Sequence, residues 1–377
     1  MSRFIKRSVL LIFTYSLALY SCTIAMGQGL DLHKLGHEAL SQGASTAAAF
    51  FLYADYLRNP TEFNDLEITA YLLSEMGEYS KADSLLQRIS ATKSVEAFSD
   101  SLSYFYYTAR ARIDHSAFDN ITALNCLAKI PSSHELYEFE LKANCYEEIG
   151  LYDKALQTYS LIPVDDNPGR TACLIGGCYR EMGRYSEAIE SYAKAISSDP
   201  DWAFPYYGIG WSYELSGDEE NALKYYNEGI ERDQSYSYLF LMRGELFLKR
   251  GDKELAEKDF NTVLRLDKQL KDGTCRQYAL FFLGRNDDAL NWMNRLIEYQ
   301  PNNPGHYYDK ACLCCRMGLI SEAIEAIGIA FEKGYRKFSH LDADDDIEPI
   351  KSNPEYIALN KKFQAKYMEE LEQLKDI

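Results

Sequence analysis

Small, aromatic and polar positions recur along this chain at one fixed interval. Between Thr171 and Leu266 the interval is 34 residues. Gly176, Gly210 and Gly244 keep that phase, as do Gly183, Gly217 and Gly251, and Ala188, Ala222 and Ala256. The aromatic positions Tyr179, Tyr213 and Phe247, and Tyr192, Tyr226 and Phe260, keep it too. An interval of this length with small and aromatic residues in phase predicts a helix-turn-helix repeat. Small residues at Gly176 and Ala188 let two helices approach closely, and Tyr179, Tyr185 and Tyr192 fill the space between them. Gly183 falls in the turn, where the lack of a Cβ relieves strain. Pro200 stops the second helix. One such pair cannot bury its own apolar face, so neighbours must stack, and a superhelix with a concave inner face follows.

The same pattern, weakened, extends both ways. Leu35, Gly36, Ala39, Gly43 and Ala48 mark a first copy, and Ala70, Gly77, Tyr79, Ala82 and Leu86 a second. Residues 100 to 135 suit two packed helices but show no turn glycine, and His115 near that turn reads as solvated or locally bonded. Ala143, Tyr146, Gly150, Tyr152, Ala155 and Tyr159 form a fourth copy. Three near-ideal copies follow at 169–202, 203–236 and 237–270. A unit at 271–303 has a first helix that is short or distorted around Asp272 and Gly273, and a ninth copy carries Tyr307, Ala311, Gly318, Ala323 and Ala330. Residues 340–346, rich in aspartate, read as a solvated loop, since a calcium loop would need alternating oxygens, a glycine and a terminal glutamate at set spacing. Pro354 opens a last helix whose stripe of Tyr356, Leu359, Phe363, Tyr367, Leu371 and Leu374 suits it to cap the array. The expected class is all-α, a right-handed α-solenoid. Its parts are a leader at 1–27, degenerate repeats at 28–135, well-formed repeats at 136–270, further repeats at 271–337, and an acidic loop with a capping helix at 338–377.

Arg3, Lys6 and Arg7 precede the apolar run Val9 to Tyr20, which reads as a secretory signal peptide and implies an exported, periplasmic or outer-membrane-associated protein. The small-x-small segment Ala25-Met26-Gly27 favours ordinary cleavage before Gln28. Leu19-Tyr20-Ser21-Cys22 keeps open lipidation of Cys22, which would be the chain's one route to a membrane. The formal charge is −17, and loss of the leader makes the remainder three charges more negative. That balance excludes nucleic acid, whose phosphates it would repel. With 46% apolar and 26% charged residues the chain is expected to fold. Cysteines such as Cys145 and Cys178 fall at small positions of first helices and read as buried apolar residues. Cys312-Leu313-Cys314-Cys315 lacks a second pair or histidines at ligand spacing, so no metal is expected there.

No nucleophile elbow, P-loop, zinc-protease or dinucleotide motif is present, and the few histidines are scattered. The adjacent carboxylates Glu147-Glu148 and Glu219-Glu220 point about 100° apart on a helix and read as solvated faces. No catalytic residue, metal or cofactor is therefore expected.

The segment LIGGCYREMGRYSEAIESYAKAISSDP, residues 174 to 200, resembles the tetratricopeptide repeat family. That resemblance implies that first helices line a concave groove, with the second, fifth, ninth, twelfth and thirteenth repeat positions facing a partner. On 203–236 these are Phe204, Tyr207, Trp211, Glu214 and Leu215. On 237–270 they are Tyr238, Leu241, Glu245, Leu248 and Lys249. On 136–168 they are Tyr137, Glu140, Asn144, Glu147 and Glu148, and on 169–202 Arg170, Cys173, Gly177, Arg180 and Glu181. The apolar members Phe204, Tyr207, Trp211, Tyr238, Leu241 and Leu248 are the candidate anchors for a protein or peptide; packing between adjacent repeats is the competing role. The family's carboxylate clamp is matched by Asn144 but not by Glu140, Cys173 or Gly177. The implied function is a non-catalytic exported scaffold of the kind that serves envelope assembly or secretion; the alternative is a glycan- or small-ligand-binding lipoprotein, with Trp211, Tyr207 and Tyr238 stacking on sugar rings.

Overall fold

A computed structural model describes residues 31–58, 65–92, 99–130, 138–162, 168–270 and 275–374. The leader, with Cys22, lies outside them, as does Tyr137. The described residues contain helices and no strand, and form nine successive helix pairs. Two compact units divide at Glu138. The first holds three pairs, Leu32–Ser41 with Ser45–Arg58, Leu66–Glu75 with Tyr79–Thr92, and Asp100–Ser116 with Asn120–Leu127. The second holds six. Its pairs are Phe139–Glu148 with Tyr152–Tyr159, Pro168–Glu181 with Tyr185–Ser198, Ala203–Leu215 with Glu219–Arg232, Ser237–Lys249 with Lys253–Leu266, Arg276–Phe282 with Asn286–Tyr299, and Pro304–Arg316 with Ile320–Glu332.

Each pair turns in the same way. Gly183 takes φ 71°, its N–H donates to the Arg180 carbonyl, and the Arg184 N–H reaches back to the Tyr179 carbonyl at 2.8 Å. This double bond closes the orphan carbonyls of the first helix, and its central residue must be left-handed. Gly217, Gly251 and Gly318 repeat it. In the third pair, where no glycine occurs at the turn, Phe118 adopts φ 64° and makes the same two bonds. His115 beside it bonds Asn120 Oδ1 at 2.6 Å.

Between the two helices of a pair, a ring from the second lies on a glycine of the first. Tyr192, Tyr226 and Phe260 are fully buried against Gly176, Gly210 and Gly244. Tyr192 also meets Gly208 of the following pair, so one ring joins two repeats. Ala188 is completely enclosed beside it, packed with Cys173 and Ile209. The eight described cysteines are buried free thiols, as small apolar residues would be.

The acidic stretch departs from the expected loop. Phe338–Ala343 is a short helix, Asp345–Ile347 a 3-10 turn and Glu348–Lys351 another helical turn. Phe338, Leu341, Ile347 and Ile350 are buried, so the aspartates ride on an ordered segment whose apolar side packs on the ninth pair. The closing helix, Pro354–Glu372, buries Tyr356 and Phe363 in the same core. Buried Arg336 fixes it with a two-pronged bond to Glu370, at 2.7 and 3.0 Å.

Two substitutions test this packing by thermal or urea unfolding. Ala188→Glu is expected to cost at least about 3 kcal/mol, because it places an unpaired charge in a closed contact. Gly210→Ala is expected to destabilise by about 1–3 kcal/mol although alanine favours helices by up to ~1 kcal/mol, because the new Cβ would fall within the Tyr226 ring. Unchanged stability in both would mean that the repeat phase is misassigned.

Candidate functional site

In the second unit the residue facing the end of each packed ring changes with the ring. The rings that lie under the glycines carry hydroxyls through to the inner face, where each needs a partner. Tyr159 donates to Asn144 Oδ1 at 2.6 Å and to Glu147 Oε2 at 3.0 Å. Arg180 donates to the Tyr192 oxygen at 3.1 Å, and Tyr226 donates to Glu214 at 3.0 Å. Glu147, Arg180 and Glu214 each lie twelve residues before the tyrosine they meet. In the next copy the ring is Phe260 and the residue twelve before it is Leu248, so hydroxyl and partner disappear together. This pairing was present in the sequence as a covarying spacing within the repeats. Glu147 is accordingly enclosed rather than solvated, and burial raises its carboxyl above the usual range.

The charged positions assigned to the groove are joined to one another. Arg170 binds Glu140 at 2.6 Å, Lys249 binds Glu214 at 2.5 Å and Arg316 binds Glu245 at 3.1 Å. The remaining ones meet the returning C-terminal segment. Lys337 reaches Glu148 at 3.3 Å, and His340 Nδ1 lies 2.9 Å from Glu181, which Arg180 also holds at 2.8 Å. Tyr367 donates to the Ile149 carbonyl at 2.5 Å, and the Arg336 carbonyl lies over Gly150. Residues 336–346 thus span from the ninth pair to the fourth and fifth, occupying that part of the inner face.

Of the apolar candidates, Tyr207 and Leu241 are buried, while Phe204, Trp211, Tyr238 and Leu248 are half-buried. Tyr207 is the hub, with ring centroids 5.6 Å from Trp211, 5.5 Å from Tyr238 and 6.1 Å from Phe204. Trp202 and Tyr236 extend the cluster, stacking on Phe204 and leaning on Tyr238; neither was singled out from the sequence, because both lie just before their helices. The Arg180 guanidinium sits 3.9 Å from the Trp211 ring centroid, a close cation–π contact. Leu241 and Leu248 belong to the neighbouring core around Phe260.

Cys312 Sγ, Asp344 and Asp346 converge closely enough to hold an ion. Their chemistry opposes it. Asp346 already pairs with Arg316 at 2.8 Å, Asp344 accepts from Tyr308, and burial pushes the Cys312 thiol far up, disfavouring thiolate. A different trio was missed by the reading of the histidines as scattered: His33, His37 and Asp65 meet in the first unit.

Two half-buried acids, Glu181 and Asp309, respond oppositely to pH. Burial would raise Glu181, yet the bond to His340 and the Arg180 charge hold it well below the usual carboxylate range. A lowered acid contributes stability above its unfolded value and loses it as pH falls. Glu181→Gln should therefore lower Tm at pH 7, with the difference closing on acidification below about pH 4. Burial pushes Asp309 up to about 7 against the pull of His340 and the Tyr278 hydroxyl, with Asp344 adding to the rise. A raised acid costs stability as pH climbs from the unfolded value through the folded one. Asp309→Asn should raise Tm at about pH 8 and change it little at about pH 4; a pH-independent shift would contradict this.

Residues 170–235 match a model of the tetratricopeptide repeat, and residues 238–270 match a second model of that repeat. These are the fifth, sixth and seventh helix pairs. No curated protein matches the chain. Among solved structures, MamA from Desulfovibrio magneticus RS-1 (residue 41 to its end) is 16% identical, covering 44% of this chain and 96% of its own, with a TM-score of 0.38. MamA of AMB-1 is 20% identical over 45% and 96%, also at 0.38. The second repeat domain of Spaghetti (RPAP3), solved with the HSP90 peptide SRMEEVD, is 28% identical over 30% and 99%, at 0.26. With its three best-phased pairs matched in sequence and the same turn and packing carried through the pairs on either side, the chain is a tetratricopeptide-repeat protein with the architecture of a protein-interaction scaffold.

Proposed function

We propose that this chain is an exported scaffold that receives an extended segment of a partner protein on the inner face of its second unit and performs no chemistry of its own. The observation that supports this reading is that the face already accommodates a polypeptide. Residues 336–346 are held there by side-chain ion pairs to Glu148 and Glu181 and by a main-chain carbonyl over Gly150. Between these contacts and the ninth pair stands the aromatic cluster of Phe204, Trp211 and Tyr238, each with part of its ring uncovered. Half-buried aromatics fixed by a buried hub have little rotamer freedom left to lose, which suits them as anchors. The assigned charges are neutralised internally, so apolar and main-chain contacts, rather than a carboxylate clamp, would carry the affinity.

Export rests on the leader Arg3 to Tyr20. Among the described residues no helix is long and apolar enough to cross a membrane. Fractionation of cells expressing the full chain is expected to place it outside the cytoplasm with its leader removed; an intact leader in the cytosolic fraction would reject export.

Crosslinking capture from the cell envelope tests the face. Wild type is compared with Phe204→Ala/Tyr238→Ala, which trims two half-buried rings and leaves Tyr207 in place. A protein recovered with wild type and lost by at least about tenfold with the variant, at matched thermal stability, is the expected result. Equal recovery would move the binding surface elsewhere.

A further inference from the structure

We infer that His33, His37 and Asp65 form a binding site for a zinc-class divalent ion that clips the first helix pair to the second. His33 and His37 are four residues apart on Leu32–Ser41, so their rings project from one face, with centroids 4.7 Å apart. Both turn Nε2 toward the same atom, Asp65 Oδ2, at 2.5 and 2.8 Å. The three donor atoms lie within 4.8 Å of one another. Tetrahedral zinc with Zn–N near 2.0–2.1 Å separates its ligand atoms by about 3.3 Å, so the two nitrogen–oxygen distances would open by roughly 0.5–0.8 Å to admit the ion.

Asp65 supplies a second observation. It is the residue immediately before Leu66–Glu75, the position at which an aspartate ordinarily accepts from the helix's own N–H groups. Its side chain makes no such bond and is aimed across to the neighbouring pair instead. Its main chain is secured independently, the carbonyl accepting from Thr69 Oγ1 at 2.7 Å. The carboxylate therefore forgoes a local bond to meet two imidazoles on another helix.

The donor set fits the ion. Two imidazole nitrogens and one carboxylate oxygen suit zinc and its neighbours in the first transition row. The charges of a divalent ion and one carboxylate partly cancel. Among the described residues no lysine or arginine is paired with Asp65, whereas Arg316 stands against Asp346 in the cysteine-containing trio. The histidines are 47% and 41% exposed and Asp65 20%, so an ion can enter from solvent and a fourth position stays open to water. Among the described residues the first pair packs on the second, and a metal bridge would strengthen that junction. This inference is independent of where a partner binds.

The test uses the full chain, purified without a histidine tag and stripped with chelator. Zn²⁺ is followed by calorimetry, and Co²⁺ by its visible absorption. One ion per chain is expected, with intense tetrahedral Co²⁺ bands and a Tm that rises with zinc. His37→Ala and Asp65→Asn should each weaken binding by about tenfold or more, while Lys34→Ala on the same helix binds as wild type. Circular dichroism of the metal-free variants confirms that they fold; Asp65→Asn, which preserves shape, carries the test if His37→Ala does not. Zinc affinity and Tm response equal in wild type and Asp65→Asn, or no binding by wild type, would overturn the site.

Discussion

The contact on which the second unit depends is an aromatic ring pressed onto a glycine. A helix face bearing a Cβ at Gly210 or Gly244 could not accept Tyr226 or Phe260 at their observed depth. The close approach buries an entire ring between two helices, and full burial of a large side chain is worth about 1.5–3 kcal/mol. Because Tyr192 touches Gly208 of the following pair as well as Gly176 of its own, the contact both closes a repeat and stacks it on the next. Turn geometry, helix lengths and the position of the inner face follow from where that ring must lie.

The ring also sets the polarity of the inner face. A tyrosine brings a hydroxyl to the far side of the helix, and that hydroxyl needs Glu147, Arg180 or Glu214; phenylalanine releases the position to Leu248. The electrostatics of the surface are therefore partly dictated from inside the repeat. Acidic residues appear there because buried phenols require acceptors and because cations from other pairs neutralise the carboxylates. The outer charge of the chain is a separate matter of solubility.

The architecture was legible because it is periodic: glycine, alanine and aromatic positions at one spacing admit few other packings. The third turn shows the limit, since Phe118 adopts a left-handed conformation that only the surrounding bonds impose. The aromatic anchors were legible as positions but not as a cluster, because Tyr207 packs against Tyr236 and Phe204 against Trp202, and both of those partners stand outside the repeat pattern. Residues 338–346 were misread for a related reason. Their aspartates suggested solvent, while Phe338 and Leu341 find their core only after the chain has come round to it. Asp65 lies about thirty residues from His33 and His37 and meets them only because successive repeats stack.

The return of residues 336–370 to Glu148, Ile149 and Gly150 alters the statistical character of the second unit. An open array behaves as a one-dimensional chain of nearest neighbours, in which terminal repeats fray at little cost to the middle. Here the segment that packs on the last of six pairs also contacts the first, so the boundary condition is cyclic. Melting either end removes support from the other, and a local opening that an open array would absorb becomes a loss of closure for the whole ring. Longer-range contacts of this kind also slow folding, since the loop that joins the ends must be closed before they contribute.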